Sequence, residues 1–394
     1  MKKSISVILA LLLAVLLFTC INRTDNINDP RGEMFAGAAS CIQCHQAVYK
    51  SFAATTHFNS TVPATSENIY GSFSNGQNSF SYNDSTKIVM EHRDSGFFQV
   101  LYENGKEKEA HRFDITFGKK HAQTFLSWKN SKTFELPVSF YSNVKGWVSS
   151  PGFSSQKVNF NRFIGEKCFE CHTSNVDSKL NPTANGMEEL LDKNSLVYGI
   201  DCERCHGPAA NHINFHLANP GVKEAKYIVL IKTLDHQQKL DMCAVCHSGN
   251  DKEKERSTFH FRPGQYFADY FSPYTVGRTK NNDFDVHGNQ YQLLSLSKCF
   301  LNSKTLTCTT CHDPHSNADD NLATYSAKCI SCHQTTDHSP QTKAQNAGVI
   351  NTNCIDCHML KQLSQAISFQ LQADTQRASY LLRTHKIAVY SRRD

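Results

Sequence analysis

What this 394-residue chain has little of narrows it quickly. The apolar run from Val7 to Phe18, behind Lys2 and Lys3, is too short to span a bilayer and has the make-up of an export signal instead. Spare cysteine is scarce. Of sixteen cysteines, fourteen fall into one repeated pattern, Cys20 closes the apolar segment, and only Cys299 is left over. That leaves no partners for a structural disulfide framework, even in a compartment that permits one. Charge of one sign is also lacking: 41 Lys and Arg against 36 Asp and Glu give a formal +5. Nucleic-acid binding has little motive on that balance.

The repeated pattern is Cys-x-x-Cys-His, in seven copies numbered here as sites one to seven. They are Cys41-Cys44-His45, Cys168-Cys171-His172, Cys202-Cys205-His206, Cys243-Cys246-His247, Cys308-Cys311-His312, Cys329-Cys332-His333 and Cys354-Cys357-His358. Two thiols three positions apart can both add to vinyl groups on one porphyrin edge, which leaves the next imidazole to reach the iron. This composition would produce about 0.03 such pentapeptides by chance. A zinc site needs no His directly after its second Cys, and a thioredoxin-like centre needs only one copy. The expected cofactors are therefore seven c-type haems with their iron. Fourteen cysteines hold them, and the seven motif histidines are proximal ligands. Fourteen haem propionates would turn the formal +5 into about −9, so the Lys and Arg read as propionate partners.

The chain divides on this reading into a signal peptide (1–19), a polar tether (20–40) and a heptahaem body (41–394). The gaps between successive sites are 122, 29, 36, 60, 16 and 20 residues, so the first must hold extra structure. It contains Lys87 to His92, Phe97 to Tyr102 and Glu107 to Phe117, rich in aromatic and β-branched residues. Asn104-Gly105 between two such runs is a hairpin signal, which predicts a small antiparallel meander over 80–118. Helices are expected around Met187 to Asp192, Glu224 to Leu240 and Asn289 to Leu301. About 54 residues serve each haem, so haem replaces much of the side-chain core. The expected fold class is mainly α with much irregular structure, the meander being inserted between sites one and two.

Twelve histidines lie outside the motifs, and seven would close the second axial face of every iron. Two axial imidazoles suit electron transfer, whereas an iron with one can bind a small molecule. His315 lies three residues after His312, a span of at most about 10 Å. It cannot round the edge of its own haem, so it should ligate a neighbouring one. His212, six after His206, invites the same inference. His57, His121, His287 and His385 are further distal candidates, and His338 and His260 stand at even odds. His92 and His111 read as ordinary strand residues, His216 and His236 as surface helix residues. Cys299 reads as a small buried hydrophobe, with thiolate ligation as the minority alternative.

Several of these segments resemble the multihaem cytochrome c superfamily that includes the tetrahaem electron acceptor of hydroxylamine oxidoreductase and octahaem oxidoreductases. The carriers are Cys41-Ile42-Gln43-Cys44-His45 with Ser51-Phe52 and His57, His121-Ala122-Gln123-Thr124-Phe125, and Leu136-Pro137-Val138-Ser139-Phe140-Tyr141. They continue with Cys202-Glu203-Arg204-Cys205-His206-Gly207-Pro208, Thr307-Cys308-Thr309-Thr310-Cys311-His312-Asp313-Pro314-His315, Cys354-Ile355-Asp356-Cys357-His358-Met359 and Thr384-His385-Lys386-Ile387. The resemblance implies stacked and perpendicular haem pairs, with distal ligands carried onto His57, His121, His212, His287, His315 and His385. No Cys-x-x-Cys-Lys site of that superfamily's enzymes is present. Leu17-Phe18-Thr19-Cys20 similarly resembles the lipobox of bacterial lipoproteins, with Thr19 in place of the usual small residue. This implies an exported periplasmic or outer-membrane lipoprotein, anchored through acylated Cys20.

Two functions remain open at this level. One is an electron relay between redox partner proteins; the other is an oxidoreductase acting on a small nitrogen or sulfur species at one open haem. The anchor can be tested separately. Cells fed radioactive palmitate should label the exported protein, and Cys20→Ala should abolish the label; a wild-type protein that is exported but unlabelled removes the lipid anchor.

Overall fold

The structure, a computed structural model, describes residues 29–390 apart from 155, 250–252, 272–283, 319, 335–337, 351 and 373–376. The segment expected as a signal peptide, and Cys20, lie outside the described residues.

The long first gap folds almost entirely as sheet, because its apolar residues alternate. In Thr86–Arg93 the buried positions are Ile88 and Met90, two apart, so one face of the strand carries the core. This strand pairs with Ser79–Ser81 and Gly96–Glu103, and Lys106–Arg112 completes an antiparallel sheet of four. Asn104 and Gly105 make the turn with positive φ (49° and 76°), the backbone that a tight hairpin demands.

A second sheet of seven strands follows in the order Thr61–Pro63, Ile115–Phe117, Ala122–Lys129, Lys132–Glu135 and Arg162–Ile164. Val138–Tyr141 branches from Ala122–Lys129 and carries Gly146–Ser149. Ile88, Met90 and Leu101 of the first sheet pack with Phe125, Val138 and Trp147 of the second in one apolar cluster. Each such buried side chain is worth about 1.5–3 kcal/mol. Gln99 ties the sheets through its amide, donating to the Val138 carbonyl at 2.6 Å and accepting from the Val138 N–H at 3.2 Å. Behind the second sheet, Ile115, Leu126 and Ile164 meet Phe169 of site two and Phe259, which joins the sheet to the motif-bearing region.

The mainly α expectation is overturned: among the described residues 29% are helical and 26% lie in antiparallel strands. The helices stay short because each motif needs only about one turn. The longest, Ile42–Ala53 and His236–His247, have twelve residues each. Met187 to Leu191, expected as helix with Asp192, belongs instead to the strand Gly186–Leu191, paired with Ser178–Thr183 through a turn at Ala184 and Asn185, with Gly186 at φ 123°. The hairpin prevails over the helical propensity of Met, Glu and Leu. The expected helix from Glu224 to Leu240 is confined to a 3₁₀ turn at Ile231–Thr233 and the start of His236–His247. That from Asn289 to Leu301 splits into Gln290–Ser295 and Lys298–Asn302. A further hairpin, Lys361–Gln370 with Arg377–Arg383, follows site seven and packs Phe369 against Tyr141 and Val148. Within the stretch read as a tether, residues from Asp29 onward are folded against the body, with Asp29 and Phe35 buried.

Gly199 holds the junction between sheet and motifs. Its φ is +64°, and an added methyl would run into the Phe58 carbonyl. The next N–H, of Ile200, donates to the His57 carbonyl at 2.9 Å. Gly199→Ala should therefore cost about 2–4 kcal/mol and displace His57, read as a lowered unfolding midpoint. An unchanged midpoint would show that the contact relaxes freely.

Candidate haem sites and their axial histidines

Each motif sits on about one turn of helix, and the turn does the placing. The N–H of the motif His donates to the carbonyl of the first motif Cys in His312 (3.0 Å), His333 (2.9 Å) and His358 (3.0 Å). Both thiols and the imidazole, at the first, fourth and fifth positions of the motif, are thereby held on about one turn. Local caps fix where these turns begin. Asp201 accepts from the Arg204 N–H at 3.0 Å, Asp235 and Gln238 form a capping box, and Thr307 and Thr310 form another.

The turns come together across long stretches of chain. Cys41 and Cys202, Cys171 and Cys246, and Cys243 and Cys308 are hydrogen-bonded thiol pairs that link sites one and three, two and four, and four and five. Burial also pushes up the Cys205 thiol, to about 11. The Cys354 N–H donates to Ser326 Oγ, on the site-six helix, at 2.9 Å and thereby joins site seven to site six.

The histidines meet across the same region. An iron holding two axial imidazoles keeps their ring centres about 6.2 Å apart, from two metal–nitrogen bonds of about 2.0–2.1 Å and about 1.1 Å within each ring. Five pairs match this separation: His45 with His212 (6.4 Å), His57 with His247 (6.0 Å), His206 with His315 (5.9 Å), His312 with His385 (6.2 Å) and His338 with His358 (6.2 Å). Every pair joins one motif His to one outside the motifs. His287 is near enough to His172 to act on its charge.

In three of these histidines the other ring nitrogen is held as a ligand imidazole requires. Nδ1 of His212 lies 2.8 Å from the Lys226 carbonyl, Nδ1 of His358 lies 2.8 Å from that of Ala388, and Nδ1 of His315 lies 3.4 Å from Asp313 Oδ1. Burial first, then neighbouring imidazoles, pushes His57, His172 and His385 down to about 4. They are therefore uncharged at neutral pH, the form that binds metal.

Of the sequence candidates, His121 meets no motif histidine; its ring lies edge-on to Tyr380 at 6.4 Å, beside the Lys120–Asp320 ion pair. His338 faces His358; its place inside the 20-residue gap before site seven is the signal in the sequence. His260 is exposed on the turn Thr258–His260. His92 packs on Phe97 and His111 on Phe160, while Nε2 of His236 lies 2.8 Å from the Leu306 carbonyl. His216 packs edge-on to His212 at 4.7 Å. Cys299 is half-buried, and burial pushes its thiol up.

Charged groups line the motifs. Arg31 Nη2 reaches Asp29 at 2.8 Å, Asp201 at 2.7 Å and Glu203 at 3.0 Å, all four side chains being at most 5% exposed. Glu203 also accepts the N–H groups of Ala36, Gly37 and Ala209. Glu170 of site two accepts from Lys254 at 2.7 Å and from the Thr258 N–H at 2.6 Å. Burial pushes Glu135, which Arg162 approaches at 3.3 Å, up to about 7.

These residues fit c-type haem. The ring separations leave room for one iron per pair. Arg204, buried beside site three, keeps Nε and Nη1 without a partner. A buried guanidinium with free donors suits a propionate, which it can bind through two parallel hydrogen bonds. Next to His206 a cavity of about 360 Å³ is lined by Met34, Pro208, Tyr227 and Arg262. Among the described residues, no three or more His, Cys, Asp or Glu side chains converge as they would around a bare metal ion.

Comparison with known proteins agrees with this chemistry. Residues 116–207 match the family of cytochrome c554 and c-prime. The multiheme cytochrome MtrA of Shewanella baltica (strain OS185) is 24% identical over 232 residues, spanning 54% of this chain and 68% of that protein. The outer cell wall cytochrome OcwA shares the fold, with a TM-score of 0.51 at 16% identity over 86% of this chain and 79% of its own. The chain is a multihaem c-type cytochrome. Among its described residues, no helix is long and apolar enough to cross a membrane.

The buried charge cluster in this cytochrome makes a testable demand. Arg31→Met would leave three carboxylates buried without their cation, at a cost of about 3–5 kcal/mol near neutral pH. Protonating them relieves that cost, so the gap from wild type should narrow as pH falls from 7 to 5 in chemical unfolding. A gap independent of pH would mean that Arg31 acts by packing alone.

Proposed function

We propose that this cytochrome is exported, carries seven covalent haems and relays electrons between redox partner proteins, tethered to a membrane through acylated Cys20. One observation carries the reading: each of the five motif histidines in a ring pair faces a histidine from outside its own motif, and several of those lie beside a different site. His315, three residues from His312 of site five, faces His206 of site three at 5.9 Å. His57, twelve residues from His45 of site one, faces His247 of site four at 6.0 Å. His212, six from His206, faces His45.

A loop that supplies a ligand to its neighbour's haem must hold the two macrocycles close together. The three thiol pairs support the same adjacency, since after attachment their sulfurs sit at haem edges. Sites three, one, four, two and five form one connected set by these contacts, and site seven adjoins six. Bound haem supplies one-electron redox chemistry whose potential its axial ligand helps to set. The chain's own residues space and orient the sites: backbone carbonyls fix the His212 and His358 rings, and buried acids and Arg204 set the local charge. Under this reading His57, His212, His287, His315, His338 and His385 are the distal ligands.

Two replacements test it. His315→Ala should convert one haem to high spin, and that haem should be the one on Cys202 and Cys205. His57→Ala should do the same to the haem on Cys243 and Cys246. Each is read by electron paramagnetic resonance of the ferric protein, with assignment by deleting the corresponding motif. A high-spin haem on Cys308 and Cys311 in the first variant would overturn the cross-pairing.

A further inference from the structure

Site six stands apart from the other six. All nineteen histidines lie among the described residues. Five motif histidines have a ring partner at about 6 Å, and His172 has His287 within electrostatic reach. The remaining outside histidines are engaged elsewhere or turned to solvent, His121 against Tyr380 among them. His333 is itself exposed, as is Cys332, and among the described residues its N–H donates to the Cys329 carbonyl.

We infer that the haem of site six is held by His333 alone and keeps an exchangeable, solvent-facing axial position, which binds small lone-pair donors of a few atoms. The inference rests on the seven-haem reading above and adds a ligand site to it. An iron with a single protein imidazole is open to such ligands, whereas paired imidazoles close it. Exposure of the turn gives solutes access without a channel. The nearest internal competitor is Cys299, whose thiol interacts electrostatically with Cys332.

The test uses the full-length holoprotein with carbon monoxide and cyanide as probes. Haem is first counted as the pyridine haemochrome; seven per chain is expected. The reduced protein should then bind one carbon monoxide per chain, and about one haem in seven of the ferric protein should be high-spin and turn low-spin with cyanide. Cys329→Ala with Cys332→Ala should remove one haem and all carbon monoxide binding. Should that variant fail to mature, His333→Lys keeps a fifth ligand and should shift the Soret band of the carbon monoxide complex at unchanged stoichiometry. His121→Ala should leave the binding as it is.

Seven low-spin haems with no carbon monoxide bound would overturn the inference. So would binding that survives loss of the site-six haem, a thiolate spectrum abolished by Cys299→Ala, or a high-spin haem that appears only in His121→Ala. A count below seven with site six loaded would instead overturn the seven-haem reading and leave the ligand site standing; absence of the site-six haem would overturn both.

Discussion

The close approach of imidazole rings from distant parts of the sequence is the constraint on which the motif-bearing part of the molecule depends. His45 and His212 are 167 residues apart, His57 and His247 are 190 apart, and His312 and His385 are 73 apart, yet each pair is held at about the span of one iron. The two largest apolar clusters belong mainly to the sheets and the turns against them. Only sites two and four contribute residues to the four clusters; sites one, three, five, six and seven contribute none. Metal ligation across such distances contributes folding free energy as a disulfide would, by closing loops that an unfolded chain keeps open. The sheets can form on apolar burial, while the motif turns depend on what they ligate.

How much of this was legible depended on how local the signal was. The motifs are five consecutive residues, and the chemistry follows from their order. The Asn104-Gly105 hairpin was read for the same reason. Asn185-Gly186 repeats the dipeptide, but the turn falls one residue earlier, at Ala184-Asn185, and Met187 to Leu191 reads as helix by composition, so the pairing with Ser178–Thr183 is visible only in the fold. The strand Lys361–Gln370 has no alternating apolar pattern; its burial comes from Tyr141 and Val148, more than 200 residues earlier. His315 could be assigned to another site because three residues cannot span a haem. His338 and His121 could not be separated that way, since only the folded chain sets one against His358 and the other against Tyr380.

Charge follows the same division between local and distant. Arg204 and Glu203 lie inside one motif, yet their environments differ: Glu203 is met by Arg31 and three backbone N–H groups, whereas Arg204 keeps two donors free. The sequence shows both charges, and only the fold shows which is already neutralised.

Arg31 also fastens Asp29, the first described residue, to Asp201 and Glu203. Only nine residue steps separate Asp29 from Cys20, a reach of about 30 Å fully extended. Were Cys20 to carry the proposed lipid, that reach would act as a leash and keep sites one and three within a few nanometres of the bilayer surface.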